Sequence, residues 1–228
     1  MKKFAGALCA CMLSASLVPA WAADHGKMDE RLQSATDVIN EVMATPDRAI
    51  PRQILSGASC VAVIPSFKKG AFVVGAQYGQ GVATCRTGHG WSAPAFVKLE
   101  GGSYGFQIGG QATDLVLVAM NQNGMEHMLH NKFKLGADAA ASAGPVGRNA
   151  QAGTDWKLNA EFLTYSRSKG LFAGLDLSGD VLEANDDDMK AFYGPGVNYE
   201  AVLHGDVSTP DEARPFVRTV ARYFVSTQ

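Results

Sequence analysis

Residues 91–120, WSAPAFVKLEGGSYGFQIGGQATDLVLVAM, decide the fold. Tyr104, Phe106 and Ile108 alternate with small or polar neighbours, which is the period of a half-exposed strand. Leu115–Met120 drops that alternation. The run is too short to cross a bilayer and reads as a strand covered on both faces. Gly101, Gly102, Gly105, Gly109 and Gly110 fall between these apolar residues, and glycines inside strands mark bends, bulges or close backbone approach. The stretch is read as two curved strands in the middle of a closed or strongly coiled sheet.

Upstream, Cys60–Pro65 is apolar and rich in β-branched residues, Lys68-Lys69-Gly70 reads as a turn, and Ala71–Tyr78 returns as a strand. Gly79 and Gly81 interrupt before Val82–Arg86 continues, and Thr87–Gly90 is a second turn. Downstream, Asn121 caps a helix over 122–130, and Lys132–Leu135 is a short strand. The Ala/Gly-rich segment 136–153 contains a constrained loop, Gly144-Pro145-Val146-Gly147-Arg148. Alternation predicts strands over 156–162 and 171–178, joined by a turn at Arg167-Ser168-Lys169-Gly170.

Helices frame this sheet. Met28, Leu32, Ala35, Val38, Ile39 and Val42 form one apolar stripe over Met28–Met43, and Pro46 ends that helix. A short helix follows Pro51 and closes at Gly57. Asp186-Asp187-Asp188 opens a helix to about Tyr193, residues 198–204 make a helical turn, and Thr209-Pro210-Asp211-Glu212 starts a last helix. Phe216, Val217, Val220 and Phe224 are its apolar side. The expected class is α+β: a coiled, barrel-like antiparallel sheet flanked by N- and C-terminal helices.

The start of the chain reads as a leader. Lys2 and Lys3 precede an apolar run from Phe4 to Val18, and Ala20-Trp21-Ala22 is an A-x-A-like cleavage site. Residues 1–22 are expected to be a signal peptide, and 23–228 a single domain of an exported protein, periplasmic, envelope-bound or secreted. Lipidation at Cys11 is a minor alternative, since the apolar run before it is short. Of the four cysteines, Cys60 and Cys85 remain in the mature chain; in an oxidising compartment they can pair, but a domain of this size does not require it. The whole chain has formal charge −2; without Lys2 and Lys3 it is −4, which does not favour nucleic acid.

Catalytic and metal motifs are weak. Gly101-Gly102-Ser103-Tyr104-Gly105 matches G-x-S-x-G, but that chemistry needs a strand-to-helix turn, and Phe106–Gly110 continues like a strand. Asp176 and His204 follow in the order a hydrolase requires, with no local motif marking either. His127 and His130 lie three apart with Glu126 beside them and no third ligand. No cofactor motif is present: the glycine-rich loops fit neither phosphate-binding pattern. The basic residues are more informative by position. Lys68, Lys69, Arg167 and Lys169 occupy expected turns, and Arg148 a rigid loop. Gathered at one end of the sheet, they would form a cationic rim able to bind phosphate headgroups.

Many stretches in one order resemble the lipid-binding SYLF domain family. They are Ala62–Pro65 with Lys68–Gly70, Gly90–Phe96, Gly105–Gly109, Thr113–Val116, Leu135–Asp138, Ala143–Arg148 and Tyr165–Gly174. The resemblance runs from about residue 28 to 204. It implies lipid binding, with phosphoinositide preference and actin binding in eukaryotic members, and no enzymatic activity. The expected function is non-enzymatic binding of anionic phospholipid or phosphoinositide headgroups at a membrane surface, through Lys68, Lys69, Arg148, Arg167 and Lys169. The helix Met28–Met43 is a second candidate for membrane contact, if its stripe is not taken up by the core. The alternatives are an envelope interaction protein with a protein partner and, behind it, a serine hydrolase through Ser103.

Overall fold

A computed structural model describes residues 20–44, 49–146, 160–168, 171–173 and 177–225; for 20–24, 70–74, 103–111, 168 and 171–173 only the backbone is considered. Its centre is a two-stranded antiparallel ribbon made of β1 (Cys60–Thr87) and β3 (Ala95–Ala119), joined through a turn and the short β2 (Gly90–Trp91). The register runs from Ala83↔Ala95 at the turn to Cys60↔Ala119 at the open end.

The ribbon corrects three readings of the sequence. Most of residues 91–120 form one long strand, Ala95–Ala119, rather than two. Lys68-Lys69-Gly70 is not a turn: the three residues pair with Ala112, Gln111 and Gly110 inside the ladder. Gly79 and Gly81 do not interrupt β1. Curvature comes instead from register shifts between Ile64 and Phe67 and between Ala71 and Val73, as β-bulges produce. Ser66, in the first bulge, has φ +50°, and its backbone N–H donates to Asp114 Oδ1 at 2.9 Å.

The bent ribbon packs on itself. A Cβ on Gly81 would lie 2.1 Å from the Val63 carbonyl oxygen, and one on Gly79 2.6 Å from Ile64 Cγ2. Only a residue without Cβ lets the two halves of β1 approach this closely. The ends meet as well: Cys60 and Cys85 are fully buried and joined by a disulfide, with Cα atoms 4.0 Å apart. Arg86 N–H donates to the Ser59 carbonyl beside it at 2.7 Å.

Further strands extend β3. At its far end β6 (Phe162–Ser168) pairs antiparallel, with β5 (Ala141–Ala143) and β7 (Leu171–Ala173) beside it; β5 is the parallel member. At its near end β8 (Val181–Ala184) pairs, and β4 (Lys132–Lys134) pairs with β8. The result is a strongly curled, mostly antiparallel half-barrel. The strand expected over 156–162 lies outside the described residues except for its last few, where Phe162 opens β6. Arg167 and Ser168 lie in β6 rather than in a turn.

Helix α1 (Ala20–Met43) begins eight residues before Met28, as alanine-rich sequence permits. Its stripe from Met28 to Val42 is buried against the ribbon and the C-terminal helix, so the stripe serves the core. Helix α2 is Arg52–Gly57. Helix α3 (Gln122–Leu129) starts at Asn121, whose side chain accepts from Gly124 N–H at 2.8 Å, as expected. Helix α4 (Asp186–Tyr193) is capped by Asn185 and α5 (Tyr199–His204) by Asn198. A 3-10 turn, Asp211–Ala213, leads into α6 (Arg214–Tyr223). Together the elements form an α+β fold.

Candidate functional site

Of the five basic residues expected to form a rim, the three described ones, Lys68, Lys69 and Arg167, lie in strands rather than turns. Lys68 is exposed and Lys69 half-buried, on successive positions of β1, so they belong to opposite faces of the ribbon. Arg167 sits opposite Asp114 in the β3–β6 ladder and donates to Asp114 Oδ2 at 2.9 Å. It also forms an ion pair with Glu41 of α1. Burial works to lower the pKa of Arg167, but these two carboxylates outweigh it and raise the pKa. The guanidinium therefore ties β6, β3 and α1 together. Arg148 and Lys169 lie outside the described residues.

The structure brings Lys68 to a different set of neighbours. An open groove of about 350 Å³ lies between α1 and the two halves of β1. Lys27 and Arg31 enter from α1, Lys68 from the first half of β1, and Tyr78 and Gln80 from the second. Lys68 has no ion-pair partner among the described residues. Arg31 is fixed: it pairs with Asp188 of α4, donates to Gln80 Oε1 at 2.7 Å, and lies 5.7 Å from the centre of the Phe96 ring. Among the described residues Glu30 is the one carboxylate lining the groove, and Tyr78 is 43 % exposed. The groove thus combines two ammonium groups, a fixed guanidinium and an exposed aromatic ring. Such a set accepts a phosphate ester by charge-assisted hydrogen bonds.

Sequence reasoning singled out Lys68 alone of this group. Lys27, Arg31 and Tyr78 are separated by up to 51 positions and carry no local motif. The one available signal was that Lys27 and Arg31 stand four apart beside the apolar stripe of α1, and so share a helix face.

A second cavity, of about 390 Å³, is lined by Lys98, Lys132, Glu183 and the start of α4. The charges on its strands are already paired: Glu183 receives Lys98 at 2.6 Å and Lys132 at 2.8 Å. Lys132 and then Lys98 hold the Glu183 carboxyl below the usual range. The folded-state pKa is depressed, so this stabilisation is present above the unfolded pKa of glutamate. It is lost as pH falls through the folded value. Glu183→Gln is expected to make the thermal midpoint less sensitive to acidification across that window; an unchanged acid limb would show that the cluster contributes nothing there.

Ser103 lies opposite Gly75 in the β1–β3 ladder, and the strand continues through Tyr104↔Val74 and Gly105↔Val73. The strand-to-helix turn of a nucleophile elbow is therefore not formed there. His204 is on α5, paired with Glu200 at 3.5 Å, and Asp176 lies outside the described residues. His127 faces Glu161 at 3.6 Å. Among the described residues no three His, Cys, Asp or Glu side chains are grouped to hold a metal.

A curled antiparallel ribbon, stapled end to end and flanked by terminal helices, defines the class: an α+β domain with a cationic groove on one flank. A family model described as "Ysc84: Las17-binding protein actin regulator" matches residues 100–223, and the chain belongs to that family, the SYLF family its motifs resemble. The chain is 32 % identical over 170 residues to human SH3 domain-containing YSC84-like protein 1, covering 74 % of this chain and 49 % of the relative. The rat protein of that name is 33 % identical over 170 residues, with 74 % and 50 % covered. Protein YSC84 of Saccharomyces cerevisiae is 31 % identical over 176 residues, with 75 % and 37 % covered. The chain spans about half the length, or less, of these relatives. The family description speaks of an actin regulator, and the human and rat relatives are named for an SH3 domain.

Proposed function

We propose that this protein is a non-enzymatic binder of anionic phospholipid or phosphoinositide headgroups at a membrane surface. The observation that carries the reading is the convergence of Lys27, Arg31 and Lys68 on one open groove beside exposed Tyr78. Arg31 is pre-oriented by Asp188 and Gln80, so less conformational freedom is lost when a phosphate docks. Lys69, on the opposite face of the ribbon, and Arg167, held by two carboxylates, have smaller parts in this reading than Lys68.

Export goes with this proposal. The leader-like start supports it, and so does the buried Cys60–Cys85 disulfide, a bond that persists in oxidising compartments. A second reading is a protein-binding role, supported by the family description, which names Las17 binding and actin regulation. For an exported chain the partner would be an envelope protein rather than actin.

Co-sedimentation with phosphatidylcholine vesicles, with and without phosphatidylglycerol or phosphoinositide, tests the lipid reading. Lys27→Gln with Lys68→Gln is expected to weaken binding to anionic vesicles roughly tenfold or more at low salt. Unchanged affinity would remove the groove from the reading, and recovery of a stoichiometric protein partner without lipid dependence would favour the second one.

A further inference from the structure

Helix α6 presents a second, separate cationic surface. Phe216, Thr219 and Val220 are buried, followed by Phe224 just past the helix. The opposite side, Arg214, Pro215, Arg218, Ala221 and Arg222, is exposed and contains no acid. The three arginines recur every four residues, so their side chains line one ridge about 12 Å long. Arg214 is shared with Asp211 at 2.8 Å. Arg218 and Arg222 have no ion-pair partner among the described residues. Val225, 59 % exposed, follows just past the end of the helix; with Tyr78 it is one of two large apolar side chains exposed among the described residues.

The ridge is held rigidly. Arg86 reaches from the end of β1 and donates to the Phe224 carbonyl at 2.9 Å, and its guanidinium stacks 4.7 Å from the centre of the Trp91 ring. Trp91 in turn meets Phe224 edge-on at 5.7 Å. This arrangement adds a further positive charge beneath the C-terminal end of the ridge.

We infer that the exposed face of α6, through Arg218 and Arg222 with Val225 beside them, is a docking face for the surface of a bilayer carrying anionic phospholipid. The inference rests on the lipid-binding reading above but uses a different surface. Charge complementarity and shape select the occupant. The face is a straight convex ridge, and neither cavity described above is lined by a residue of α6. Exposed arginines can also read an acidic peptide, but a convex face without a groove suits a plane of phosphates, which guanidinium groups bind in pairs of hydrogen bonds. On a chain of net negative charge, such a face also orients the molecule as it approaches an anionic plane.

The test compares the unsubstituted protein with Arg218→Gln/Arg222→Gln, with Ala221→Glu and with Lys27→Gln/Lys68→Gln. Each is titrated with phosphatidylcholine vesicles with and without phosphatidylglycerol, at low and moderate salt. All these positions except the groove pair lie on the outer side of α6, and unchanged far-UV circular dichroism establishes that the fold is intact. The arginine pair is expected to weaken binding to anionic vesicles roughly thirtyfold at low salt, and the effect should shrink as salt rises. Ala221→Glu, which removes no contact, should weaken it in the same direction. Weakening in these two variants with the groove variant unaffected supports the ridge and sinks the groove. Weakening in the groove variant alone leaves the lipid reading standing and overturns the ridge. No vesicle binding by the unsubstituted protein overturns both.

Discussion

Gly81→Ala is expected to lower the thermal midpoint by roughly 10 °C, corresponding to about 3 kcal/mol of lost stability. The added Cβ would sit 2.1 Å from the Val63 carbonyl oxygen and 2.9 Å from Ile64 Cα. Both are backbone atoms of a strand buried on all sides, so no rotamer change relieves the clash. The two halves of β1 would have to separate, and the core between Ile64, Phe67 and Val82 would loosen with them. Gly102→Ala is the matched control: it lies in the same ladder, but its nearest neighbour is the Gly75 carbonyl at 4.0 Å. Thermal melts of the two variants should differ sharply. Equal midpoints would mean that self-packing of the ribbon contributes little.

The second large effect is expected on loss of the disulfide. Closing a 25-residue separation removes chain entropy from the unfolded state worth about 3.5 kcal/mol. Cys60→Ala/Cys85→Ala should therefore melt well below the unsubstituted protein. Both sulfurs are fully buried, so a reductant should reach them only when the fold opens. Alkylation after dithiothreitol should track global unfolding measured by urea titration. Rapid reduction under native conditions, or a variant of unchanged midpoint, would contradict this account.

The sequence disclosed most clearly what is local. The apolar stripe of α1 and the Asn121 cap are set by residues within a few positions of one another, and both stand as read. Lys68-Lys69-Gly70 looked like a turn because its composition is that of one, yet the partner residues 110–112 keep it in a ladder. Turn chemistry is a local preference, and a cross-strand register with the far side of the molecule overrode it. β8 escaped notice because four residues are too few to show alternation. The same holds at the candidate site. Arg167 carries no mark of its commitment to Glu41 and Asp114, which come from distant parts of the chain. The groove gathers residues from α1 and two separate stretches of β1, an arrangement that only the folded-over ribbon creates.

The ribbon also has a temporal meaning. Its ladder starts at Ala83↔Ala95, next to the connecting turn, and lengthens one pair at a time to Cys60↔Ala119. Each new pair encloses a loop only slightly longer than the one before. The entropy of bringing distant residues together is thus met in small instalments, as in a zipper. By the same measure the contact between Cys60 and Cys85, 25 residues apart, closes a shorter loop than the pairing of Cys60 with Ala119. The cross-link therefore does not have to wait for the open end of the ribbon to pair.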